Sequence, residues 1–238
     1  MSALESTTDQ YEPSHLRFRL ITLLFAVLLS AQSIWLVAAE LSRSDIDELP
    51  TNANSADAAA AQRDAATRAA EIGVIRGDLW AQSAFTFASL VTDPKSASAN
   101  SDLSSLLSRV QTSLGRGLHD APAQSGAWLL RAALGYRYAG TRIDATEALK
   151  MSYYTGPSDI NLIPMRLRLA MLTNDLHDVE LNQFVTRDLR LLLVRKQNSA
   201  VTEIYKDASP TARHLIEQIV GDFDPSALDA LRTSGAQQ

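Results

Sequence analysis

Four histidines, His15, His119, His177 and His214, are the first candidates for chemistry in this sequence, and no two of them stand at ligand spacing. A zinc or di-iron site on helices needs His-x-x-x-His or Glu-x-x-His, which put two ligands on one face. No His-x-x-x-His occurs, the single Glu-x-x-His match (Glu12 to His15) has no second such pair to complete a site, and there is no cysteine to supply a thiolate. No metal and no cofactor is expected. A Gly-x-Ser-x-Gly elbow and a Gly-x-x-x-x-Gly-Lys phosphate loop are also missing. Asp222-Phe223-Asp224 has the form of a metal-binding Asp-x-Asp pair, but Pro225 follows, so Asp224 reads better as a helix cap. Arg76-Gly77-Asp78 falls inside an expected helix, which removes its weight as an adhesion motif.

Two charge clusters remain. Asp175, Asp178 and Glu180 meet at a helix junction. Paired carboxylates can do acid–base work on sugars. Acids at a helix start are also the ordinary complement of its dipole, and that explanation is preferred, so no catalytic residue is assigned. Arg166 and Arg168, with Arg187, Arg190, Arg195 and Lys196, make two consecutive helices basic. Packed antiparallel, these helices would offer Arg166, Arg168, Arg187 and Arg190 as a partner groove for an acidic peptide, an anionic saccharide or lipid headgroups. A solvated helix face is the plainer alternative.

The elements that must position these groups are helical. The 238 residues include 10 glycines and 8 prolines, carry a net charge of −5, and are 46% hydrophobic, much of it alanine and leucine. Hairpin turns between β-branched runs are lacking. The acidic balance and scattered basic residues argue against a nucleic-acid partner.

Leu20 to Ala39 is a run without charge, long enough to span a bilayer core, with Trp35 toward its far end. Arg17 and Arg19 precede it, while Glu40, Asp45, Asp47 and Glu48 follow. The positive-inside rule then puts residues 1–19 in the cytoplasm and the rest across the membrane. In a bacterium that is an inner-membrane protein with a periplasmic domain. The alternative is a cleaved signal peptide, since Ala31-Gln32-Ser33 and Val37-Ala38-Ala39 offer small residues at cleavage spacing. The length of the apolar run and the segment before it favour a retained anchor.

Residues 40–55, with Pro50 and many small polar side chains, read as a linker or a frayed start to the next helix, and residues 56–233 as an all-helical domain with a loose tail at 234–238. The alanine-rich stretch from Ala56 to about Val91 reads as one long helix, bent near Gly73 and Gly77. Thr92-Asp93-Pro94 stops it. Ser101-Asp102 caps the next helix, where Leu103, Leu106, Leu107, Val110 and Leu114 share one face and Gly115 and Gly117 mark the end. Further helices are expected at 128–138, 144–154, 158–172 (capped by Ser158), 176–195, 199–207 and 211–220. A short one should follow Pro225.

The pair at 126–159 resembles a tetratricopeptide repeat. Ala133 and Tyr136 stand where that family has a small residue and a tyrosine. Gly140 stands in the turn, Ala145 and Leu149 on the second helix, and Pro157 at the close. Leu129 departs from the pattern, replacing the usual tryptophan, with Trp128 one place early. An ordinary helical hairpin would match as well. The stretch 147–157 with the Arg-Leu-rich segment 165–170 is also similar to bitopic, tetratricopeptide-like bacterial proteins found with exopolysaccharide biosynthesis and export clusters. Together these imply an all-α fold, one membrane helix followed by an array of helical hairpins, acting as a membrane-anchored scaffold or adaptor for envelope proteins rather than as an enzyme. Two alternatives stand beside it: a carbohydrate-active enzyme using the acidic cluster, and a structural protein self-associating through its alanine-rich helix.

Overall fold

The computed structural model describes residues 13–92, 102–138, 143–172 and 178–235. Ser101, Gly140, Asp175, His177 and the Asp93-Pro94 stop lie outside them. The described residues are helical with no strand.

Helix α1 (Pro13–Leu41) holds the apolar run. From Leu16 to Leu41 it is long and apolar enough to cross a membrane, and Leu23, Leu24, Phe25 and Leu28 are exposed along it. Large apolar side chains left bare on a helix of this length are what lipid, not water, would solvate.

The expected helix over 56–91 is instead four: α2 (Ala53–Ala61), α3 (Arg63–Gly73), α4 (Gly77–Phe85) and α5 (Ser89–Thr92). The bend expected between Gly73 and Gly77 is a full reversal. Thr67 Oγ1 meets Ser83 Oγ at 3.4 Å, and Arg63 reaches the Thr86 carbonyl at 3.1 Å, so the two helices run antiparallel. The connection passes through Val74 at φ 31°, a conformation a β-branched residue adopts only under strain. Two tryptophans brace it. Trp35 Nε1 donates to the Ile72 carbonyl at 2.6 Å, and Trp80 Nε1 to the Val74 carbonyl at 2.9 Å. They satisfy acceptors that the end of α3 leaves open.

Helix α6 (Leu103–Asp120) runs through Gly115 and Gly117, which were expected to end it. Gly117 is a contact residue: a Cβ there would lie 3.1 Å from the Ala81 backbone nitrogen. On the facing helix, a Cβ on Gly77 would lie 2.5 Å from the backbone nitrogen of Ala121. Missing side chains thus let α4 and α6 cross in close contact, with Ser83 and Ser113 hydroxyls 3.3 Å apart between them.

Helices α7 (Ser125–Arg137) and α8 (Ala145–Thr155) form a tight antiparallel hairpin. Gly135 faces Ala145 at one end, and Gly156 faces Ser125 at the other. A 3-10 turn (Ile160–Leu162) leads into α9 (Ile163–Leu172), so this helix starts later than Ser158. Helices α10 (Val179–Val194), α11 (Asn198–Asp207), α12 (Pro210–Phe223) and α13 (Pro225–Gly235) complete the bundle. The Ser209-Pro210 and Asp224-Pro225 signals act as read: Ser209 accepts from the Ala212 amide, and Asp224 accepts from the Ser226 and Ala227 amides.

Residues 42–52 are non-helical, but they are not a free linker. Ile46, Leu49 and Pro50 are buried, Leu49 lying against Gly126 and Phe85 of the main core. Arg43 pairs with Glu40 at 3.0 Å and with Asp47 at 2.5 Å, and Asn161 donates to Glu48 at 2.9 Å. The segment is a packed strap. Its apolar side chains are spaced so that each falls on the core side, which a compositional reading of Pro and small polar residues misses.

Candidate functional site

A groove of about 900 Å³ lies between α7, α9 and the α2 and α5 ends. Ala133, Met165 and Leu169 form an apolar floor, with Val91 and Tyr136 beside them. Arg137, Arg168 and Asp207 add charge, and Leu172 stands 61% exposed at the edge. Arg168 Nη2 donates to Glu203 at 2.7 Å, while its buried Nε has no acceptor among the described residues. A second, shallower depression of about 710 Å³ runs along the strap, with Asp45, Asp47 and Glu48 on one side and Asn161, Pro164 and Gln197 on the other.

The repeat-signature positions serve the hairpin. Ala133 and Leu149 are buried, and Ala145 packs where Gly135 leaves room. The Tyr136 hydroxyl lies 3.1 Å from Thr146 Oγ1, and Pro157 occupies the turn after α8. Two of them, Ala133 and Tyr136, also line the groove.

The four arginines expected to share a groove do not. Arg166 is fully buried. Its Nε donates to Ser152 Oγ at 3.0 Å, Nη1 to the Gly156 carbonyl at 2.9 Å and Nη2 to the Ser152 carbonyl at 2.5 Å. The guanidinium thus closes the C-terminal end of α8 and lies 4.9 Å from the Tyr153 ring centre. Arg187 stacks on the other part of this cluster, 5.8 Å from the same ring, and donates to Asp188 at 3.0 Å. Arg168 faces α11 through Glu203, and Arg190 is exposed. Only Arg168 belongs to the groove. The reason is position: Arg166 falls with Ile163, Leu167 and Ala170 on the buried side of α9.

Asp188 was not singled out by its sequence, yet it is fully buried on α10. Its Oδ2 and the Tyr153 hydroxyl are both buried without a hydrogen-bond partner among the described residues. Desolvation raises the carboxyl pKa of Asp188, opposed by the hydrogen bond from Arg187 and by the Arg187 and Arg166 charges. Burial likewise raises the Tyr153 phenol and lowers the Arg166 guanidinium, which stays charged.

The acidic cluster is committed elsewhere. Asp178 accepts from the Glu180 and Leu181 amides as the N-cap of α10. Lys150 bridges Asp178 at 2.6 Å and Glu180 at 3.2 Å, and the Tyr154 hydroxyl donates to Glu180. The Lys150 hydrogen bond lowers the Asp178 pKa, and the Tyr154 bond, then Lys150, lower that of Glu180. Carboxylates held ionised in this way suit a helix junction, not a proton donor. Asp224 likewise spends its acceptors on the α13 cap. His119 sits 2.7 Å from Asp120, and among the described residues no three His, Asp or Glu side chains converge as metal ligands.

The junction of α1 with the domain carries a set of residues that sequence reasoning missed. Ala39 is buried with Ala69, Ala70, Leu79 and Trp80. Arg76 bridges Glu40 at 2.7 Å and Asp78 at 2.5 Å. Trp35 had a signal, read only as an interfacial aromatic. Its partner on α3 had none, because the two lie far apart in the chain.

No family model matches the chain, and no curated protein and no solved structure is significantly similar to it.

Proposed function

We propose that this chain is a single-pass membrane adaptor: α1 stays in the bilayer, and the helical domain binds a segment of another membrane or envelope protein in the groove above α7 and α9. The observation that carries the reading is the junction. Trp35 and Ala39 belong to the packing of α3 and α4. Cleavage after Ala39 would strip both from the fold, and cleavage after Ser33 would leave Trp35 beside a free, charged terminus. A retained, rigidly joined anchor confines the groove to the membrane surface, which raises its effective concentration toward membrane partners. Arg17 and Arg19 before the apolar run and the acids after it support an N-terminus in the cytoplasm and a domain on the far side, the periplasm of a bacterial inner membrane.

The groove suits a segment with apolar side chains for its floor and a carbonyl or carboxylate for Arg137 and Arg168. The α7–α8 hairpin supports the tetratricopeptide-like reading, and the resemblance of residues 147–170 points to polysaccharide synthesis or export machinery as the partner. Self-association through the alanine-rich stretch is less favoured, because Ala56, Ala59, Ala66, Ala69 and Ala70 are buried inside the chain. The test is affinity purification of the full chain from its native membrane in gentle detergent. One envelope protein should co-purify, and Leu172→Glu or Arg137→Glu, both at exposed positions, should release it while leaving the helical signal unchanged. Co-purification that survives both changes would contradict the groove.

A further inference from the structure

The connection between α3 and α4 exposes Val74 by 59% and Ile75 by 70%, although the chain bends there under strain. Two adjacent large aliphatic side chains at the tip of a hairpin are costly in water. Their position relative to α1 accounts for them. Arg19 and Glu40 bracket 20 residues without charge, a length of about 30 Å, equal to a hydrocarbon core. Glu40 therefore marks the boundary of that core. Arg76 is bonded to Glu40, and Ile72 is bonded to Trp35, one turn and a little more toward the lipid. Val74 and Ile75 lie between those two fixed points.

Resting on the reading of α1 as a retained anchor, we propose that the α3–α4 tip is a second membrane contact, with Val74 and Ile75 inserted at the interface of the bilayer that α1 crosses. The surroundings fit that depth. Trp35 and Trp80, amphipathic rings favoured at the headgroup level, donate to the Ile72 and Val74 carbonyls where the chain enters the tip. Arg76 and Asp78 neutralise each other. Arg116, exposed on α6 and 4.5 Å from the Trp80 ring centre, faces the phosphate layer. The exposed Glu71 limits insertion to the two tip side chains. With two points of contact, the domain is fixed in tilt as well as in height.

The natural sequence has no cysteine, so single nitroxide labels report cleanly. The full chain would be labelled at Val74→Cys or Ile75→Cys, with Leu28→Cys in the span and Ser108→Cys on α6 as references, and reconstituted in phosphatidylcholine–phosphatidylglycerol vesicles. Ser108 is exposed at the end of α6 away from the tip. The measurement is relaxation by oxygen against relaxation by a water-soluble nickel chelate. The expected oxygen-to-nickel ratio at both tip positions is several-fold above that at Ser108 and below that at Leu28. Tip labels that match Ser108 while Leu28 reads as lipid would overturn the insertion and leave the anchor standing. A Leu28 label that also reads as water would overturn both. The two tip positions are independent variants, so loss of one to misfolding leaves the other to decide.

Discussion

Replacing Arg166 by Met removes the guanidinium and keeps most of the side-chain volume. Three donated hydrogen bonds disappear, and the carbonyls of Ser152 and Gly156 keep only their backbone donors, the Gly156 and Asp159 amides. Each such bond to a charged group is worth about 1.5–3 kcal/mol. The gross loss is offset because a buried guanidinium costs several kcal/mol to desolvate. What decides the net is the loss of three buried bonds with no water to replace them, about 1 kcal/mol net for each. A destabilisation of about 3 kcal/mol is expected, a fall in melting temperature of about 6–12 °C for a domain of this size. Arg166→Lys should recover only a part, since one compact ammonium cannot reach three acceptors. The assay is thermal and denaturant unfolding of the full chain in nanodiscs, followed by circular dichroism. A loss below about 1 kcal/mol, or full recovery by lysine, would refute the assignment of Arg166 as the clamp between α8 and α9.

Three further outcomes follow from the same geometry. Asp188→Asn should stabilise by about 1 kcal/mol at neutral pH, the low end of what a buried unsatisfied group costs. The raised carboxyl pKa means the fold binds a proton more tightly than the open chain, so wild-type stability falls as pH rises through that pKa. The gain of the variant should therefore vanish at pH values below the ordinary carboxylate range, and a pH-independent gain in paired unfolding curves would contradict this cause. Gly77→Ala should cost about 1–3 kcal/mol by overpacking, because its methyl would strike the Ala121 backbone, whereas Gly115→Ala meets open space and should be neutral or stabilising by denaturant midpoint. Trp35→Phe keeps an aromatic ring, smaller than the indole, and loses the bond to Ile72, and hydrogen exchange should quicken at the end of α3 while α12 is unaffected.

Local pattern carried much of this fold. The uncharged run from Leu20 to Ala39 announced α1, the spacing of Leu103, Val110 and Leu114 announced a face of α6, and the proline caps at 210 and 225 fell where they were read. Glycine was the least legible residue. Gly117 looks like a helix stop in sequence, and only the approach of α4 shows that it is a crossing point. Arg166 and Asp188 were legible in principle. Ile163, Arg166, Leu167 and Ala170 follow i, i+3, i+4 and i+7, as do Val185, Asp188, Leu189 and Leu192 in their own stripe. A charge inside an apolar stripe signals burial, and counting the arginines as a basic surface passed over it. The groove and the α1–α3 junction were not legible, because both depend on pairings between elements far apart in the chain.

As proposed, the anchored domain receives a partner in the groove. A photo-cross-linking amino acid placed at Tyr136 or Leu172 in the full chain, activated in native membranes and followed by mass spectrometry, tests it most directly. One dominant adduct with another envelope protein is expected from both positions, none from Ser108 on α6, and loss of the adduct when Arg137→Glu is added. Adducts only with a second copy of this chain, or equal adducts from Ser108, would contradict it.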